Sequence, residues 1–150
     1  MSVADDALAL FDQHFNCSQS VLAACGQRYG LDRPTALRVG EVFGGGMGRM
    51  GLTCGAVTGA FMAIGLVHAK LTPEDQTSRR KSIALAQRFR QEFEAGHGSI
   101  CCRELLGCDI STPAGYQEAI DCGLFTKVCP NLVRDAATLV EKLLEPEKAA

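Results

Sequence analysis

The chain has 150 residues, room for one domain of ordinary size, and its 47% apolar and 21% charged residues suit a packed core rather than a disordered tail. Fifteen basic side chains against seventeen acidic ones leave a formal charge of −2, which removes any bulk electrostatic case for nucleic acid or an anionic membrane surface. Cysteine is the outlier: there are eight, roughly 5% of the chain, too sparse for a disulfide mini-scaffold and too many to pass unexplained.

The predicted elements are nearly all helices. Met1 to Leu10 has no basic stretch, and Asp5 and Asp6 interrupt it, so it does not read as a secretion signal; a cytoplasmic, reducing location is expected. Val3 to His14 carries Val3, Ala7, Leu8 and Phe11 at helical spacing. A second helix runs from Cys17 to Tyr29 and stops at Gly30, and a third runs from Pro34 to Phe43 with Asp32 placed to cap it. Gly44 to Gly51 can only be a loop. Met50 to Val67 holds no charge over eighteen residues, the lower edge of a membrane span, but its glycines and threonines favour a buried core helix from Cys54 to Ala69. Gly55, Gly59 and Ala63 fall four apart there, leaving one face small enough for another backbone, within the chain or across a homodimer.

A fifth helix is expected to start at Thr72 and Pro73, with Asp75 as a capping acid and Leu85, Phe89 and Phe93 as its apolar stripe. Its arginines and lysine read as a solvated face. Gly96 to Gly98 ends it, a short turn carries Cys101 to Cys108, and Pro113 opens a short helix to Asp121. The last helix starts at Cys129-Pro130 and continues through Leu132, Val133, Ala136, Leu139, Val140 and Leu143. No strand, repeat or linker stands out. The fold class is therefore all-α: residues 1–150 form a single cysteine-rich helical bundle of about five to seven helices with a glycine-rich loop.

Several motifs are excluded. Gly46-Met-Gly-Arg-Met-Gly51 spells a dinucleotide fingerprint but lacks the βαβ context that gives it meaning. Its glycines, Gly45, Gly46 and Gly48 above all, instead offer bare backbone N–H groups that can face a bound cofactor's negative charge. His14, His68 and His97 show no paired metal spacing, and C-x-x-C is absent, which argues against a thioredoxin-type dithiol and zinc ribbons.

The cysteines carry the signal. Cys17, Cys54 and Cys129 each stand where a helix should begin, so unpaired N–H donors and the helix dipole should favour their thiolates, the form that attacks and binds metal. Cys25, mid-helix, reads as a buried hydrophobe. Cys102 and Cys108, separated by five residues, stand at the ends of a turn and could serve one centre, though spacing alone does not show whether the thiols converge.

Cys17 within Asn16-Cys-Ser-Gln, then Thr53-Cys-Gly-Ala-Val-Thr-Gly59, then Cys102-Arg-Glu-Leu-Leu-Gly-Cys108, then Cys129, in that order, resembles the C-GCAxxG-C-C family of redox-active proteins. The resemblance spans roughly residues 10 to 140 and includes the glycine loop. Its second motif differs in order, reading Cys54-Gly55-Ala56 where the family name implies Gly-Cys-Ala. By motif it marks Cys17, Cys54, Cys102 and Cys129, with Cys108 inside the third motif, and leaves Cys25, Cys101 and Cys122 unmarked. A similar domain precedes the haem-binding part of split-Soret cytochromes, where an iron–sulfur centre accompanies the haems; this chain lacks the haem part. The resemblance thus implies an iron–sulfur cluster on ligands drawn from Cys17, Cys54, Cys102, Cys108 and Cys129, and electron exchange with a redox partner protein. A thiol–disulfide enzyme or sensor built on the same cysteines is the alternative, and zinc or copper binding a further one.

Overall fold

The computed structural model describes residues 1–149, with side chains through residue 145. Nine α-helices lie among the described residues: α1 Val3–Asp12, α2 Cys17–Gly26, α3 Arg33–Gly40, α4 Gly55–His68, α5 Gln76–His97, α6 Cys102–Leu106, α7 Pro113–Asp121, α8 Leu124–Lys127 and α9 Cys129–Ala149. Single 3-10 turns at Gln27–Tyr29 and Glu41–Phe43 extend α2 and α3. The all-α expectation holds. The count exceeds five to seven because α6 and α8, of five and four residues, are too short to leave a periodic signature in sequence.

Boundaries follow local chemistry. Ser2 with Asp5 and Asn16 with Gln19 form reciprocal capping boxes that start α1 and α2. Asp32 accepts the Thr35 amide at 3.0 Å and starts α3 one residue before Pro34. The fifth helix corrects its expected start. Asp75 is the cap itself, taking the Ser78 amide at 3.0 Å, while the Asp75 amide bonds back to Thr72 in a preceding turn. Gly30 closes the second helical unit with φ +87°, and Gly98 closes α5 with the same angle.

The helix α4 is the core, with Ala56, Val57, Ala60 and Ala63 fully buried. It packs most extensively on α2, and then on α9 and α5. The small face does its work within the chain. A Cβ on Gly59 would lie 2.8 Å from the Ser18 carbonyl oxygen and 3.1 Å from the Val21 Cβ, so α2 and α4 run nearly backbone to backbone. A second copy is not needed to cover it. Phe89 and Phe93, stacked with centroids 5.7 Å apart, bind α5 to this core, and Phe61 of α4 meets Phe89 edge-on at 5.9 Å. A smaller apolar cluster of Cys102, Leu106, Ile110, Ala119 and Cys129 joins α6, α7 and α9 beside it. No helix among the described residues is long and apolar enough to cross a membrane.

Two glycines of α4 should therefore respond in opposite directions. Gly59→Ala forces overpacking against backbone and is expected to cost about 2 kcal/mol, lowering the melting temperature by about 6 °C. Gly65 has open space where its Cβ would be, so Gly65→Ala should raise stability by about 0.5–1 kcal/mol through helix propensity alone. Thermal unfolding of both variants checks the packing.

Candidate functional site

One antiparallel bridge, Thr53 with Cys101, organises the site. Around it the Cys54 amide donates to the Ile100 carbonyl at 2.7 Å, the Cys102 amide to the Leu52 carbonyl, and the Arg103 amide to the Gly51 carbonyl at 3.1 Å. Segment 51–54 is thereby laid along segment 100–103, which fixes the start of α4 beside the start of α6. Cys54 caps α4 and Cys102 is the first residue of α6. From the other side, Cys17 opens α2 and Cys129 opens α9. Thus four cysteines begin four helices, and their thiols lie close enough to repel one another electrostatically. Sequence reading identified three of these helix starts. Cys102 reads in the sequence as one end of a turn, because α6 is a single turn and a half capped by nothing more distinctive than Cys101.

The Asn16-Cys-Ser-Gln motif acquires a physical role. Within the capping box the Gln19 amide donates to Asn16 Oδ1 at 2.9 Å, and the Asn16 amide to Gln19 Oε1 at 3.0 Å. The same two side chains reach outward: Asn16 Nδ2 donates to the Glu41 carbonyl at 2.9 Å, and Gln19 Nε2 to the Leu37 carbonyl at 2.9 Å. They tie the end of α3 behind Cys17 and so fix where that thiol points.

Glycines let the backbone close on the thiols. A Cβ on Gly55 would come 3.1 Å from the Cys17 Cβ, and one on Gly46 would come 2.7 Å from the Cys102 Cβ. Gly45, Gly46, Met47, Gly48 and Arg49 have consecutive φ angles of +65°, +68°, +65°, +59° and +62°, a left-handed turn. Met47 and Arg49 each adopt it at a cost of about 1–2 kcal/mol. The Gly48 amide is occupied by the Val42 carbonyl at 2.6 Å, whereas the Gly45 and Gly46 amides donate to no backbone carbonyl among the described residues.

The electrostatics correct the sequence-based expectation of easily ionised helix-start thiols. The amides of Ala56 and Val57 at the start of α4 favour the Cys54 thiolate without forming a side-chain cap, yet burial outweighs them and its pKa is pushed up to about 11. Burial and the neighbouring cysteines push Cys102 up to about 12. Cys17 is raised well above its ordinary value, first by its hydrogen bond to Cys129, then by burial and by repulsion from the other three. Cys129 alone of the four is lowered, because Cys17 donates to it. Cys25 is raised to about 12 by burial, as its mid-helix position implied.

The remaining cysteines of this region, Cys101, Cys108 and Cys122, make other contacts or are exposed. Cys108 Sγ hydrogen-bonds the Gly115 carbonyl at 3.1 Å and approaches Glu118 Oε2 at 3.7 Å, on α7 rather than in the four-cysteine group. Cys101 Sγ bonds the Gly51 carbonyl at 3.4 Å, and Cys122 is exposed. His97 pairs with Asp135 at 2.9 Å on the far side of the core. Among the described residues, no three His, Cys, Asp or Glu side chains are arranged to hold one metal ion. A cleft of about 1120 Å³ opens onto the Cys17–Cys129 side of the group, between the ends of α1 and α3, the glycine loop and α7–α9; Cys54 and Cys102 do not line it.

Neither the curated proteins nor the solved structures yield a match to this chain. A family model does match, over residues 15–143, a span that holds the capping box, the glycine loop and all four helix-start cysteines. Its description is "Putative redox-active protein (C_GCAxxG_C_C)", and the chain belongs to that family.

Proposed function

We propose that Cys17, Cys54, Cys102 and Cys129 hold an iron–sulfur cluster through which the protein exchanges electrons with a redox partner protein in the cytoplasm. The observation that carries this reading is the convergence of four cysteines from four helix starts into one electrostatically connected, largely buried group. The donor set is soft sulfur throughout, the class of ligand that iron–sulfur clusters take. A single tetrahedral zinc holds its sulfurs at about 2.3 Å, hence within about 3.8 Å of each other, and no such one-ion arrangement is found among the described residues. A polynuclear cluster spreads its ligands over several metal atoms and wants them further apart.

When bound, such a cluster supplies one-electron redox chemistry. The chain's own residues supply the surroundings. The four cysteines give up protons on binding, and the amides of Ala56 and Val57 offset negative charge at the Cys54 sulfur. The Gly45 and Gly46 amides, which donate to no backbone carbonyl among the described residues, would do the same at the glycine loop. Alanine and valine side chains of α4 exclude water from the inner side.

A second reading rests on Cys17 and Cys129 together, the two thiols that line the cleft. Cys129 then acts as the attacking thiolate and Cys17 as its resolving partner, two thiols becoming one disulfide with release of two electrons and two protons to an oxidised thiol or disulfide substrate.

Iron and acid-labile sulfide, measured on anaerobically purified protein, separate the readings. Both should be present in the unaltered chain, fall to background in Cys54→Ser and Cys129→Ser, and persist in Cys25→Ser and Cys108→Ser. Equal retention in all four variants would remove the ligand assignment. The metal-free thiols give a further check. Only thiolate reacts with iodoacetamide, so labelling of Cys54 should climb about tenfold per pH unit through about pH 9.5 without levelling, because its thiol titrates near 11. Cys129 should label ahead of the other three. A plateau for Cys54 by about pH 9 would mean its burial has been overstated.

A further inference from the structure

The cleft beside Cys17 and Cys129 has walls that the cluster does not use. The protein has seven phenylalanines and two tyrosines, and four of these nine rings, Phe11, Phe15, Tyr116 and Phe125, line this one cleft, each half-buried. Two arginines sit over rings of that set. The Arg49 guanidinium sits 3.9 Å over the Tyr116 ring, and that of Arg33 sits 5.5 Å over Phe15. Neither has a carboxylate partner among the described residues, although Arg28, Arg88, Arg90, Arg103 and Arg134 all do. Arg49 is also a lining residue, carried by the left-handed turn of the glycine loop. Asp12 and Glu41 line the cleft as well, but neither pairs with Arg49, and Glu41 already accepts the Gln19 amide group at 2.7 Å.

We propose that this cleft binds a planar aromatic anion, its acidic group on the Arg49 guanidinium and its ring against Phe11 and Phe125, next to Cys17 and Cys129. The volume of about 1120 Å³ accommodates a small organic molecule with room for solvent at the mouth. A guanidinium stacked on an aromatic face keeps its in-plane N–H fork free, and that fork matches a carboxylate bidentately. Half-buried rings gain from covering by a flat apolar body. A neutral ligand would use the rings but leave the arginine unanswered. A purely ionic one, such as inorganic phosphate, would leave the four rings bare.

The inference goes beyond the cluster reading and does not depend on it, since the probes below touch no thiol. Titration calorimetry of the anaerobically purified chain with 2-naphthoate, and with its neutral counterpart 2-naphthylmethanol, tests it. The carboxylate should bind about tenfold more tightly than the alcohol. Arg49→Asn, which keeps a residue at ease in the left-handed turn, should abolish that difference while leaving the alcohol's Kd within about twofold. Phe125→Leu should weaken both probes together, with the melting temperature confirming an intact fold. Equal affinity of the two probes for the unaltered chain would overturn the proposal, as would a carboxylate Kd unmoved by Arg49→Asn. A brown, iron-containing protein that fails this titration would refute the cleft's ligand and leave the cluster standing.

Discussion

Four thiols gathered in one desolvated place cannot all ionise unless something positive enters among them. That constraint governs the rest of the structure. Each unit of negative charge placed near Cys54 raises the cost of the next, and burial adds to the cost. Yet the chain spends two capping side chains, a strained left-handed turn and an isolated β-bridge on bringing these cysteines together. A protein that needed only reduced, inert thiols could scatter them through the core, as it does Cys25. The four helix starts answer part of that charge, through amides such as those of Ala56 and Val57, and the proposed cluster would answer the remainder.

The architecture serves that gathering. The close packing of α2 on α4, made possible by Gly55 and Gly59, places the Cys17 backbone against the Cys54 end of α4. The bridge at Thr53 then adds Cys102, and the long α9 adds Cys129 at its first residue. All four arrive on helices or their caps rather than on long loops, which would suit the proposed cluster, whose geometry should change little on redox. The side facing α4 is dry, while the Cys17–Cys129 side meets the cleft. Cys17 and Cys129 thus border the cleft, while Cys54 is the most deeply buried of the four.

Much of this was legible in the sequence, and the failures share a cause. Long helices announced themselves through period: Leu132, Val133, Ala136, Val140 and Leu143 of α9 are all buried, as their spacing required. Gly30 and Asp32 marked their boundaries correctly. Cys102 was harder, because a helix of five residues has no period to read and its placement depends on a bridge to Thr53 about fifty residues away. Cys108 looked equivalent to Cys102 by spacing, but the turn after α6, with Gly107 at φ +67°, directs it to α7. The ionisation of Cys17 and Cys54 also escaped a local argument. Helix dipoles are visible in sequence, whereas burial and mutual repulsion exist only once distant segments have met.

The most direct measurement is iron-edge X-ray absorption on anaerobically purified protein. The account predicts a first shell of sulfur alone and a second shell of iron, the signature of a polynuclear cluster on cysteine ligands. A first shell dominated by oxygen or nitrogen, or sulfur ligation with no metal neighbour, would contradict it.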